Sequence, residues 1–287
     1  MPRIAYVNGR YGPLSDACVH VEDRGFQFAD GVYEVWAVMD GRLTDAEGHF
    51  TRLWRSLSEL RIREPMTRAA LTRVLRETLR RNRIRDGLLY LQITRGAARR
   101  DHAFPSPETP PTVVITAKPV DFAAAEPKAR AGVTVITRPE IRWGRCDIKT
   151  VGLLPNALAK QAAKEAGAGE AWFVDEAGYV TEGSSTNAWI VDAEGRLRTR
   201  DTSANILRGV TRLSLIELAR ECQLEVVEAP FTLAEAKAAK EAFFTAASAF
   251  LTPVTAIDGD RVGDGHPGPV TLRLRDLYMQ RAREGAL

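Results

Sequence analysis

A chain of 287 residues, 45% hydrophobic and 27% charged, is long enough for two cores and too apolar to be disordered. Its 40 basic and 37 acidic residues leave a net charge of +3, too small and too dispersed to favour nucleic acid or an anionic membrane. No run approaches the roughly 18 apolar residues of a membrane span and no apolar leader follows Met1. Cys18, Cys146 and Cys222 have neither metal-ligand spacing nor an even pairing. The expectation is a cytoplasmic protein with reduced, mostly buried thiols and no metal.

In chain order, residues 4–7 and 17–21 alternate in polarity around Asn8-Gly9, a hairpin signal. Residues 32–38 read as a strand ending at the Asp40-Gly41 turn. Residues 47–61 place Phe50, Leu53, Trp54, Leu57 and Leu60 on one helical face, with His49 and Arg52 off it. A second amphipathic helix over 67–81 carries Leu71, Val74, Leu75 and Leu79, and 88–94 is an apolar strand. That strand enters a polar loop, 94–105, in which Arg100 and His102 stand two residues apart. A guanidinium fork and an imidazole N–H suit a carboxylate, although most loops of this composition are only solvated. After a strand at 112–116, the alanine- and proline-rich stretch 117–131 suits a crossing segment.

This reading divides the chain into an N-terminal α/β domain (1–118), a linker (119–131) and a C-terminal α/β domain (132–287). The second part opens with a strand at 133–137, then a helix at 156–166 and a hairpin of 171–174 with 179–181. A strand at 187–191 precedes a loop, 202–212, that enters a helix carrying Leu215, Ile216 and Leu218. A strand at 224–228, a helix at 233–240, a buried strand within 243–253 and a helix at 269–284 close the chain. Lys149 follows Ile148 and precedes a polar turn, with Arg142 and Arg145 close behind it. Neighbouring cations and partial desolvation lower a lysine's pKa and make its amine a nucleophile for a carbonyl. An ordinary lysine in such a place is a solvated one.

Arg-Cys-Asp-Ile-Lys (145–149), Leu-Leu-Pro-Asn-Ala-Leu-Ala-Lys-Gln (153–161) and Thr-Glu-Gly-Ser-Ser-Thr-Asn (181–187) together resemble the signature of fold-type-IV pyridoxal-phosphate (PLP) enzymes. That family includes D-amino-acid and branched-chain aminotransferases and aminodeoxychorismate lyase. The resemblance implies an α+β, two-domain, homodimeric enzyme with PLP between its domains, acting on small amino acids and 2-oxo acids. It implies that Lys149 carries PLP as a Schiff base and that Glu182 faces the pyridine nitrogen, keeping it protonated. By the same resemblance Arg52, in a His-x-x-Arg-Leu helix, binds the phosphate through its planar fork. The amides of Val210 and Thr211, at a helix N-terminus, would hold that phosphate too. Leu207 would pack under the ring and Ser248 would reach the phosphate, while Ala247 stands where D-specific relatives carry threonine.

The segment 22–35 and the pattern Arg-x-His-x-Phe-Pro (100–105) resemble the D-amino-acid aminotransferases in particular. They imply that Tyr33 points at the substrate and that Arg100 and His102 take its α-carboxylate; without the resemblance, Tyr33 is a strand aromatic and Leu207 a core residue. Ala37 is small where some D-specific relatives have lysine. The implied reaction is ping-pong transamination, with D-alanine and 2-oxoglutarate as the family's usual pair. An (R)-amine transaminase, a branched-chain L-aminotransferase and the lyase are the alternatives within the fold.

Overall fold

A computed structural model describes residues 3–202 and 205–284, in two compact units. The first comprises residues up to 122 together with 148–152; the second comprises 123–147 and the described part of 153–284.

The first unit begins with a hairpin, β1 (Ile4–Val7) and β2 (Arg10–Pro13), turned by Asn8 (φ 45°) and Gly9 (φ 91°). Two consecutive left-handed residues match the twist of paired strands, which is why Asn-Gly marks such turns. The strand returns at once over 10–13, and the expected partner at 17–21 forms no strand. Helix α1 (Arg24–Phe28) is capped by the Asp23 carboxylate on the Gly25 amide and stops at Ala29 (φ 54°). Strands β3 (Gly31–Met39) and β4 (Arg42–Leu43), helices α2 (Ala46–Glu59) and α3 (Arg68–Asn82), and strands β5 (Gly87–Thr94) and β6 (Thr112–Pro119) follow. They build an antiparallel sheet in the order β2-β1-β6-β5-β3-β4.

Alternation along β3 sends Val32, Trp36 and Val38 into a core with Phe50, Leu53 and Leu57 of α2 and Leu71, Leu75 and Leu79 of α3. Tyr33 and Val35 fall on the opposite, half-buried face. Residues 148–152 join this unit by backbone pairing with β3: the Tyr33 amide donates to the Lys149 carbonyl at 3.0 Å, and the Val151 amide to the Gly31 carbonyl at 3.0 Å. Ile148 enters the same core.

The second unit runs through α4 (Phe122–Arg130), β7 (Val133–Pro139), α5 (Leu154–Glu165), β8 (Glu170–Val174), β9 (Val180–Gly183), β10 (Asn187–Val191) and β11 (Leu197–Thr199). It continues through α6 (Val210–Glu221), β12 (Val226–Glu228), α7 (Leu233–Ala238), β13 (Glu241–Ala246), β14 (Phe250–Ile257), β15 (Asp260–Arg261) and α8 (Pro269–Glu284). Its sheet has the order β12-β11-β10-β13-β14-β7-β8-β9, with β15 beside β14. Most pairs are antiparallel; β14–β7, β7–β8 and β11–β12 are parallel. Trp189 stacks on Phe243, both fully buried, with centroids 5.5 Å apart.

Three sequence expectations are redrawn. Residues 122–130, read as linker, form a helix because alanines favour one, and Glu126 fastens it to Arg275 of α8 through bonds of 2.9 and 2.6 Å. The strand within 243–253 is a hairpin, since the chain turns at 247–249 before β14. The three cysteines are free, but Cys18 is exposed and the others half-buried.

Leu53 is fully buried on α2 in the first core. Leu53→Ala should therefore cost about 2–5 kcal/mol in urea unfolding, and a loss below about 1 kcal/mol would contradict the packing described.

Candidate active site

Lys149 is held by its backbone beside β3, so its side chain starts from a fixed point: the ammonium lies 4.2 Å from the centroid of the Tyr33 ring. Tyr33 in turn lies 5.7 Å from Tyr90 of β5, and the Tyr90 hydroxyl donates to Gln92 Oε1 at 2.7 Å. Burial first, and Tyr33 second, push the Tyr90 phenol up to about 12, so it stays protonated.

On the other face of β3, the Glu34 carboxylate is fully buried. Arg52 grips it with Nε on Oε1 and Nη2 on Oε2, both at 2.7 Å, and His49 Nδ1 lies 2.7 Å from Oε2. The four-residue repeat of α2 turns its apolar stripe to the core and leaves His49 and Arg52 beside Glu34. Burial alone would raise the Glu34 pKa; the Arg52 guanidinium and His49 reverse this and hold it at about 2. Burial moves the His49 imidazole the other way, below its usual 6.5, against the opposing pull of Glu34. Nothing in the sequence pattern singled out Glu34, because a lone glutamate in an apolar strand names no partner.

In the second unit Glu182 is buried on β9. It receives Arg142 Nη1, Asn187 Nδ2 at 2.8 Å, and the Leu207 amide at 3.1 and 3.2 Å. Asn187 Nδ2 also donates to the Leu207 carbonyl at 3.0 Å, which fixes the orientation of its amide. Burial raises the Glu182 pKa above the usual 4.5, and Arg142 and the Leu207 amide oppose it. Every neighbour named is a donor, which a carboxylate can use and a carboxylic O–H cannot. Arg142 is also forked onto Glu140 at 2.9 and 2.6 Å, and Thr181 donates to Glu140 at 2.7 Å. Arg142 and Arg145, expected as cations acting on Lys149, are thus paired elsewhere: Arg145 grips Asp147 at 2.9 and 3.0 Å.

Val210 and Thr211 open helix α6 behind Gly209, where no side chain caps the helix. Their amides are among the four a helix leaves without an internal partner, a position that favours an anion. A Cβ at Gly209 would collide with Asn187 Oδ1, so glycine is what lets the helix start against the Glu182 cluster. Leu207, half-buried, sits two residues before it, while Ser203 and Ala204 lie outside the described residues. Ser248 is exposed in the turn between β13 and β14, next to Ala247.

Arg100 and His102 are exposed and flank one ring: the Arg100 guanidinium is 5.1 Å from the Phe28 centroid, and the His102 ring 5.5 Å from it. The first unit thus brings together Lys149 and Tyr33, with Arg52 on the far face of β3. The second brings together Glu182, Leu207, Val210 and Thr211. The first unit offers an amine, and the second an enclosed carboxylate and a helix start with free amides; these are groups of the kinds a phosphorylated pyridine aldehyde needs, so the residues fit PLP chemically.

The family model described as amino-transferase class IV matches residues 31–257. The chain is 40% identical over 264 residues to a D-alanine aminotransferase of Bacillus licheniformis, covering 92% of each chain. It is 39% identical to one of Staphylococcus haemolyticus, covering 95% of each. Among solved structures it resembles a T.th. branched-chain amino acid aminotransferase with pyridoxamine 5'-phosphate (TM-score 0.89, 29% identity, 99% of this chain and 95% of that one). It also resembles the branched-chain enzyme of Escherichia coli (TM-score 0.88, 25% identity, 100% and 96%).

The Glu34 cluster carries a pH signature. A carboxylate held at about 2 instead of 4.5 gives stability that is complete above 4.5 and lost as pH falls towards 2. His49, kept neutral, adds a loss that begins as pH falls through 6.5. Glu34→Gln should cost about 3–5 kcal/mol at neutral pH, because Arg52 stays buried without its counter-charge. It should also flatten the fall in stability between pH 4.5 and 3. Urea unfolding across that range checks both, and an unchanged acid limb would show that another group titrates there.

Proposed function

The chain belongs to the aminotransferase class IV family, a family of PLP-dependent enzymes, and on that premise we propose that it exchanges an amino group between a D-amino acid and a 2-oxo acid. D-alanine and 2-oxoglutarate, giving pyruvate and D-glutamate, are the proposed pair. One observation carries the choice of substrate: Arg100 and His102 stand exposed on one loop, both against Phe28, and these two donors would suit a carboxylate. The identity of about 40% to D-alanine aminotransferases along almost the whole chain supports the same reading.

PLP, when bound, supplies an electron sink that stabilises negative charge on the substrate's α-carbon. Lys149 is the residue that would hold it covalently, and its Nζ, when free, would be the base that moves the α-proton. The ionised Glu182, kept in place by Arg142, Asn187 and the Leu207 amide, is suited to hold a proton on the ring nitrogen. Arg52 and the amides of Val210 and Thr211 are the proposed phosphate ligands, with Ser248 reaching it from the β13–β14 turn and Leu207 packing under the ring. The Glu34 fork uses Nε and Nη2 of Arg52, which sets the direction of the guanidinium plane rather than leaving it to rotate. Tyr33, beside the Lys149 ammonium, is proposed to meet the substrate. The two substrates use the same groups in turn, so kinetics are ping-pong.

A cytoplasmic homodimer completes the reading. Free thiols at Cys18, Cys146 and Cys222 suit a reducing compartment, and the exposed Leu154 and Leu158, one turn apart on α5, suit a second copy. A second reading, transamination of branched-chain L-amino acids, is favoured by the solved structures it resembles. It leaves the Arg100–His102 loop without a role.

Mixing the purified enzyme separately with D-alanine, L-leucine and (R)-1-phenylethylamine distinguishes these readings: D-alanine alone should convert the cofactor's visible absorption. Conversion by L-leucine instead would replace the substrate assignment. Arg100→Ala should lower kcat/KM for D-alanine roughly 100-fold, about the loss expected from a charged bidentate contact. Unchanged use of D-amino acids would remove the carboxylate role. Lys149→Ala should lack the visible absorption of lysine-bound PLP, and a variant retaining it would overturn the lysine assignment.

A further inference from the structure

We propose that Arg24 is a positioning residue for substrate specificity: its guanidinium grips the backbone of residues 101–103 and so aims Arg100 and His102. The proposal rests on the substrate reading above, and goes beyond it by naming what fixes the carboxylate-binding loop.

Arg24 is 3% exposed, an unusual state for an arginine on a five-residue helix. Its Nη1 donates to the carbonyls of Asp101 at 2.6 Å and Ala103 at 3.3 Å, and its Nη2 to that of His102 at 3.4 Å. Nε donates to Asp30 Oδ2 at 2.8 Å. One planar group therefore addresses three successive carbonyls on one side and a carboxylate on the other. Backbone bonds extend the hold: the Arg24 amide donates to Gly96 at 2.9 Å, and the Ala98 amide to Glu22 at 3.3 Å. Phe28 lies under the Arg24 guanidinium, 4.7 Å from its centroid, and it is the same ring that Arg100 and His102 flank.

The consequence is selective order. The side chains of Arg100 and His102 are exposed, yet the peptide that carries them is tied to a buried cation. An exposed loop of this composition would otherwise sample many orientations, and a displacement of about 1 Å at a substrate-positioning group is enough to cost roughly 100-fold in rate. Asp30 does not depend on Arg24 for its charge balance, because Arg95 also grips it at 2.7 and 2.9 Å. Removing Arg24 therefore leaves no uncompensated carboxylate behind.

Arg24→Lys and Arg24→Gln, tested in the PLP-bound enzyme, separate charge from geometry. Lysine can still pair with Asp30, but an ammonium on a single stem cannot span three carbonyls in one plane. Both variants should raise KM for D-alanine roughly 10- to 100-fold while kcat changes by less than about threefold, and lysine should not rescue. Trypsin should also cut the folded variants after Arg99 or Arg100 about fivefold faster or more, since cleavage follows local opening of the backbone. If both variants unfold, Phe28→Leu, which removes the shared ring and keeps the ion pair, should show the same two changes in smaller measure. Unchanged KM and unchanged cleavage, or full rescue by lysine, would overturn the proposal. Arg100→Ala serves as the control for the substrate reading: if it leaves D-alanine use intact while Arg24 variants still speed tryptic cleavage, the anchor stands and the substrate assignment fails.

Discussion

Two backbone hydrogen bonds between β3 and residues 149–151 set where Lys149 stands in the first unit. A lysine on a flexible stem gains a defined position only if its main chain is fixed, and here the Tyr33 amide and the Gly31 carbonyl fix it from both sides. Gly31 also packs closely on its other neighbour: a Cβ there would press on the Ile93 carbonyl of β5 at 2.9 Å. The same strand presents Tyr33 towards Lys149 on one face and Glu34 towards α2 on the other, so one strand's alternation sorts two kinds of chemistry.

Charge compensation is the second constraint. Glu34, Asp30 and Glu182 are each largely removed from solvent, and each is matched by arginine: Arg52, the pair Arg24 and Arg95, and Arg142. A buried ion pair contributes little net stability, but removing one partner is costly. Such units therefore persist where orientation is what matters. Glu34 orients Arg52, Arg142 holds Glu182 in place, and Asp30 braces the arginine that grips the 101–103 backbone.

Fold and substrate separate in this family. Among the solved structures the chain resembles are branched-chain enzymes with TM-scores of 0.89 and 0.88, whereas D-alanine aminotransferases are among its relatives in sequence at about 40% identity. A shared scaffold leaves specificity to a few side chains on loops. In the proposed reading the loop after β5 carries that weight, and its anchoring by Arg24 would then have chemical consequences.

The sequence by itself marked most elements, because helical periodicity at Phe50-Leu53-Leu57 and turn pairs such as Asn8-Gly9 are local signals; the class IV family and the α+β class came from the resemblance carried by the motifs at 145–149, 153–161 and 181–187. The sequence also marked Lys149, Glu182, Arg100 and His102, since these stand in contiguous motifs. What lay beyond it was partnership across the chain. Arg142 reads as a cation near Lys149 in sequence, yet it is paired with Glu140 and with Glu182, forty positions on. Glu34 meets Arg52, and Arg24 meets residues 101–103, only through tertiary packing. The five residues around Lys149 belong with a strand more than a hundred positions earlier, so a linear division at 119–131 has no means of assigning them. Local order is written in spacing; which buried charge finds which partner is decided only when the strands and helices close around it.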